Sequence, residues 1–61
     1  MNKMEITEVK YQWQFGKYTA ITWFGKYGTH TEWYEDDNFI DSNKVPANVL
    51  EQHEQKVDEV L

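Results

Sequence analysis

Residues 9–15 read VKYQWQF, an unbroken alternation of apolar and polar side chains. A period of two belongs to a half-buried strand; a helix stripe would recur every three to four residues. Val9, Tyr11, Trp13 and Phe15 therefore share one face, and Lys10, Gln12 and Gln14 the other. Gly16-Lys17 follows. A glycine-led two-residue loop suits a type II′ turn, whose first central position needs positive φ. Pairing Phe15 with Tyr18 then sets Trp13 opposite Ala20, Tyr11 opposite Thr22 and Val9 opposite Phe24, all on one face.

The tetrapeptide FGKY at 15–18 recurs at 24–27. Its spacing equals one strand plus one turn, so it reads as turn construction rather than as a ligand signature. A two-residue second loop would pair Phe24 with Tyr27; a four-residue loop, Gly25 to Gly28, uses both glycines and pairs Phe24 with Thr29. Either keeps Thr29, Thr31 and Trp33 on the face of Trp13, whereas an odd-length loop would turn Trp33 outward. With the four-residue loop, Trp13, Ala20 and Trp33 line up across three strands, the small central residue making room for a tryptophan on each side.

Residues 35–44, EDDNFIDSNK, are acidic and turn-rich, with Phe39-Ile40 expected as a short apolar plug against the end of the sheet. Beyond them, Val49, Leu50, His53, Val57, Val60 and Leu61 form one helical stripe. Pro46 suits a first helical turn, with Ser42 or Asn43 as the cap. His53, on the stripe, is expected to pack rather than to bind a ligand. The expected fold is α+β: a three-stranded antiparallel meander over about 8–15, 18–24 and 29–35, then a C-terminal amphipathic helix over about 46–60, in the order β-β-β-α. One small domain spans 1–61. Met4 and Ile6 have the wrong parity for the first strand, which calls for a bulge near Thr7-Glu8, and residues 1–5 are expected to fray.

A chain this short buries only about 60% of its unfolded-state surface. It has no cysteine for a disulfide or a zinc site. Nine of its ten aromatic residues lie between Tyr11 and Tyr34, so that stretch must supply most of the core. The start, MNKMEITEV, has no apolar run of signal-peptide length and nothing later is long enough to span a membrane, so a cytoplasmic protein is expected.

Charge is uneven. Residues 1–34 carry Lys3, Lys10, Lys17 and Lys26 against Glu5, Glu8 and Glu32, a net of +1. Residues 35–61 carry Lys44 and Lys56 against eight carboxylates, a net of −6, which makes the overall −5. There is no arginine. Phosphate neutralisation supplies most non-specific nucleic-acid affinity, and arginine is the usual bidentate partner of phosphate and guanine, so nucleic acid is a disfavoured partner.

Lys10, Gln12, Gln14, Thr19, Ile21, Trp23, His30, Glu32 and Tyr34 fall on the second sheet face, and one helix cannot cover both faces. Ile21, Trp23 and Tyr34 are therefore expected to be partly exposed in a polar frame, the composition of a protein interface. The expected contact residues are Trp23, Ile21, Tyr34 and His30, joined by Glu35, Asp36 and Asp37 of the acidic loop. The expected function is a small, non-enzymatic protein-binding module, whose partner is another protein or a second copy of the chain. Such a module would suit an accessory or inhibitory protein of a phage or mobile element. Two alternatives use the same residues differently. Lys10, Lys17 and Lys26 around Trp23 would make a nucleic-acid platform. Glu35, Asp36, Asp37, Asp41 and the helix carboxylates would make an acidic mimic of nucleic acid that occupies a basic groove. Catalysis has little support. Ser42 is the sole serine, His30 and His53 belong to different elements, and the acidic loop lacks the glycine and terminal glutamate of a calcium loop. No cofactor, metal or small-molecule substrate is expected.

Overall fold

The computed structural model describes residues 9–61. The expected fraying at 1–5 and the bulge at Thr7-Glu8 lie outside the described residues. Strands β1 (Val9–Phe15), β2 (Tyr18–Gly25), β3 (Gly28–Glu35) and β4 (Asn38–Ile40) form one antiparallel sheet in the order β1-β2-β3-β4. A 3-10 turn, Ser42–Lys44, then leads into helix α1, Ala47–Val60.

The first three strands pair in the expected register. Trp13 lies opposite Ala20 and Ala20 opposite Trp33; Phe24 lies opposite Thr29. Four strands, not three, make the sheet, because Phe39-Ile40 is a strand rather than a plug. Trp33 pairs with Ile40, Tyr34 with Phe39 and Glu35 with Asn38. The turn that allows this is Asp36-Asp37, with Asp36 at φ 56°. Aspartate tolerates the left-handed region better than most residues, so a hairpin forms without glycine. The Asp36 amide also donates to the Lys17 carbonyl at 2.7 Å, tying this turn to the first hairpin. Lys17 Nζ meets Glu35 Oε2 at 2.7 Å beside it.

The two FGKY copies are used in different phases. In the first, Gly16 sits at φ 65° as the leading turn residue, and Tyr18 begins a strand and packs against the core. In the second, Gly25 is an ordinary strand residue paired with Gly28, and Lys26-Tyr27 is the turn. The loop is thus two residues long, not four, and the left-handed conformation falls on Gly28 at φ 131°. The second tyrosine, Tyr27, stands at the hairpin tip, 95% exposed. The helix start also differs from expectation. Pro46 occupies the cap position with no side-chain hydrogen bond, while Ser42 and Asn43 belong to the 3-10 turn, which Asp41 caps by accepting from the Asn43 amide.

The core is built on the helix side of the sheet. Ala20, Trp33, Val45 and Val49 are buried, with Phe15, Tyr18, Ile40 and Leu50 packed around them. His53 reaches down from α1 into this layer. Its ring centroid lies 5.5 Å from Trp13 and 5.0 Å from Trp33, edge-on to both, and therefore above the Ala20 position between them. Phe15 stands edge-on at 6.5 Å. Nε2 of His53 shares a hydrogen bond of 2.8 Å with Thr22 Oγ1, and Thr22 shares another of 3.0 Å with Thr31 Oγ1. Thr22 is fully buried, so this chain of bonds satisfies a hydroxyl that would otherwise be desolvated without a partner.

Two outcomes follow from this layer. Ala20→Leu forces a branched side chain into the gap between two tryptophans and under an imidazole. It should destabilise the fold by about 1–3 kcal/mol, measured by urea unfolding. Second, burial holds the His53 imidazole below its ordinary value of 6.5, with Glu54 opposing weakly. The folded chain then binds this proton less readily than the unfolded chain. This contribution to stability is complete above about pH 6.5 and is lost as pH falls below that value through the lowered folded pKa. The urea midpoint should drop between about pH 7.5 and about pH 5, and His53→Gln should flatten that dependence.

Candidate functional site

The opposite sheet face carries three rungs. Register places Lys10, Trp23 and His30 on the first, Gln12, Ile21 and Glu32 on the second, and Gln14, Thr19, Tyr34 and Phe39 on the third. Side chains alternate along each strand, and the helix packs on the far side, so this face has no covering layer among the described residues.

Its rings are held in place by their neighbours. Trp23 and His30 lie 5.6 Å apart at 34°, and Lys10 Nζ stands 5.9 Å from the Trp23 ring on the adjoining strand. Glu32 connects the rungs. Its Oε1 accepts from the Tyr34 hydroxyl at 3.0 Å, and its Oε2 lies 3.8 Å from His30 Nε2. The bond to Glu32 favours the protonated phenol and holds the Tyr34 pKa above its ordinary 10.0. Tyr34 packs edge-on against Phe39 at 5.7 Å. Trp23, Ile21 and Tyr34 are half-buried, while Phe39 is 66% exposed.

The face has two ends of opposite character. At one, Gln12, Thr19, Ile21, Tyr34, Asp36 and Asp37 line an open depression of about 270 Å³, which sets two carboxylates beside Ile21 and Tyr34. At the other, Trp23, Lys26, Tyr27 and His30 border a depression of about 230 Å³ at the hairpin tip. The separation along the strands is about 13 Å from the strand rise. Acidic and basic ends on one aromatic-bearing surface give a partner an orientation as well as a contact area.

Of the residues expected from sequence, Trp23, Ile21, Tyr34 and His30 come together on this face, and Asp36 and Asp37 join them at its acidic end. Glu35 does not. It has the parity of Tyr18, points toward the helix side and binds Lys17. That pairing holds the Lys17 pKa above its ordinary 10.5. Lys17 itself stands in the β1–β2 turn, bonded to the Asp36 turn at the acidic end of the sheet, so it does not join Trp23 as the nucleic-acid reading expected. Lys10 and Lys26 stay near Trp23. The helix carboxylates are elsewhere, with Glu54 and Asp58 along the groove between α1 and β3. Sequence reasoning missed Phe39 and Tyr27. Parity in the short FI run was a signal for the first. The glycine on either side of Lys26-Tyr27 was a signal for the second.

These elements define the chain as an antiparallel four-stranded meander backed by one helix, with an aromatic outer face. The chain matches no known protein family, no curated protein and no solved structure. Among the described residues no helix is long and apolar enough to cross a membrane.

The Tyr34–Glu32 bond is directly measurable. Glu32→Gln should lower the pH at which Tyr34 ionises, followed by the NMR shift of its ring protons. An unchanged titration would show that the bond does not form in solution.

Proposed function

We propose that this chain is a non-enzymatic protein-binding module whose contact surface is the sheet face away from α1. One observation carries the reading. Trp23, Ile21, Tyr34 and Phe39 form an apolar strip on a face that the chain's own helix leaves uncovered, framed by polar and charged side chains. Tryptophan and tyrosine at the centre of a polar rim are the residues that most often dominate interface energies. Their rings are already positioned by Lys10, His30 and Glu32, which lowers the ordering cost of binding. Asp36 and Asp37 at one end favour a partner that presents a basic group there.

A nucleic-acid reading draws on the other end, where Lys10, Lys26, Trp23 and Tyr27 cluster. The overall charge of −5 and the position of Lys17 at the opposite hairpin, beside Asp36 and Glu35, weigh against it. Titrating the chain with mixed oligonucleotides at low salt, read by tryptophan fluorescence, separates the two.

The protein-binding reading is tested by affinity capture from the native host with wild type, Trp23→Ala and an Asp36→Asn/Asp37→Asn pair, asparagine keeping the left-handed turn while removing the charge. Both variants should lose at least about 1 kcal/mol of affinity, roughly fivefold, for the captured partner. A partner retained equally by all three proteins would remove this face as the contact surface.

A further inference from the structure

We propose that the outer edge of β1 pairs with β1 of a second copy of this chain, antiparallel about a two-fold axis at Gln12, to make one eight-stranded sheet. The two edges of the sheet are treated differently. β4 is three residues long and runs directly into the Asp41-capped turn. β1 is seven residues long, contains neither proline nor glycine, and pairs one-to-one with β2 without a bulge. Among the described residues nothing pairs with its outer side. Long, regular edges are the kind that proteins otherwise shorten, bend or cover.

The hairpin decides which groups face outward. In a two-residue hairpin the pair flanking the turn, here Phe15 and Tyr18, is hydrogen-bonded, and bonded pairs alternate along the ladder. Val9, Tyr11, Trp13 and Phe15 therefore spend their backbone groups on β2. The amides and carbonyls of Lys10, Gln12 and Gln14 point to the open edge. Centring the pair on Gln12 matches these groups: Gln12 meets Gln12, and Lys10 meets Gln14 of the second copy. No like charges face each other, whereas sliding the strands until Lys10 meets Lys10 would set two ammonium groups together.

The same register covers apolar surface that one copy leaves open. Val9 is 53% and Tyr11 38% exposed on the helix side. They fall opposite Phe15 and Trp13 of the second copy and extend the aromatic stack of Tyr11, Trp13 and Phe24. The acidic half of the chain does not oppose this approach. α1 lies nearest β1. Its β3-facing side carries Glu54 and Asp58. At 100° per residue the flank toward the β1 edge carries Asn48, Gln52, Lys56 and Glu59, a net charge of zero. The axis stands perpendicular to the sheet, so both Trp23 faces lie on one side and the assembly is bivalent. The contact is made through the backbone edge of β1, and the Lys10, Gln12 and Gln14 side chains it aligns lie at the margin of the proposed protein-binding face.

Sedimentation equilibrium from about 10 μM to about 1 mM should show the mass rising toward two chains. Gln12→Pro removes an outward-facing amide and no internal one, so it should leave the circular dichroism unchanged and the mass at one chain. Gln12→Lys sets two like charges across the axis. It should be monomeric at low salt with a wild-type melt, and mixing it with Gln12→Glu should restore the two-chain mass. Trp23→Ala should not alter the mass. The proposal is overturned by a wild type that stays monomeric throughout, including one whose Lys10, Gln12 and Gln14 amides resist exchange because the same chain covers them. A folded Gln12→Pro that still dimerises overturns it too, as does loss of the dimer in Trp23→Ala, which would move the contact to the other face. Failure of the mixed charge variants to pair would overturn the Gln12-centred register.

Discussion

The imidazole of His53 joins the helix to the sheet. It sits edge-on to Trp13 and Trp33, over the alanine that separates them, and its Nε2 reaches the buried hydroxyl of Thr22. Each part of that contact depends on another. A larger residue at position 20 would fill the space the ring occupies. A register slip of one residue in β1 or β3 would turn that strand's tryptophan to the other face. Without the imidazole, Thr22 would keep Thr31 as its single side-chain partner. The ring supplies aromatic contact and a polar bond together, which an aliphatic side chain at this helix position could not.

One helix over four strands leaves an asymmetric molecule. The helix side concentrates the buried residues, and the other side keeps its aromatics at the surface, braced by charged neighbours. Among the described residues, those after β4 and its 3-10 turn form one helix, and one helix can shield one face of a sheet. The aromatic content of the uncovered face is not dictated by folding, because a strand's solvent side tolerates polar residues at every position. That is the physical reason to look for function there.

Turn chemistry explains where sequence reasoning stopped. Gly16 leads its turn as glycine does in two-residue hairpins, and the pairing from Val9 to Phe24 follows from it. The second FGKY looks the same locally but is followed by Gly28, which takes the left-handed conformation and leaves Gly25 in the strand. The register survives, because both loops have even length and set Phe24 opposite Thr29. The third turn uses two aspartates, and its left-handed residue carries a side chain. Without a glycine to mark it, EDDN resembles irregular chain, so β4 and the outward-facing Phe39 were hidden.

Alternation in VKYQWQF, the glycine of the first turn and the stripe from Val49 to Val60 determined the strands, their faces and the helix, because each is a local periodicity tied to backbone geometry. Trp23, Ile21, Tyr34 and His30 could be assigned to one face for the same reason. Tertiary structure decided what contacts between distant segments settle. It placed His53 over Ala20, turned Glu35 toward Lys17 rather than toward the Trp23 face, and set Asp36 and Asp37 beside Ile21 and Tyr34. Parity along a strand says which way a side chain points. It does not say which residue from another element will meet it, since that depends on how the turns and the helix bring separate segments together.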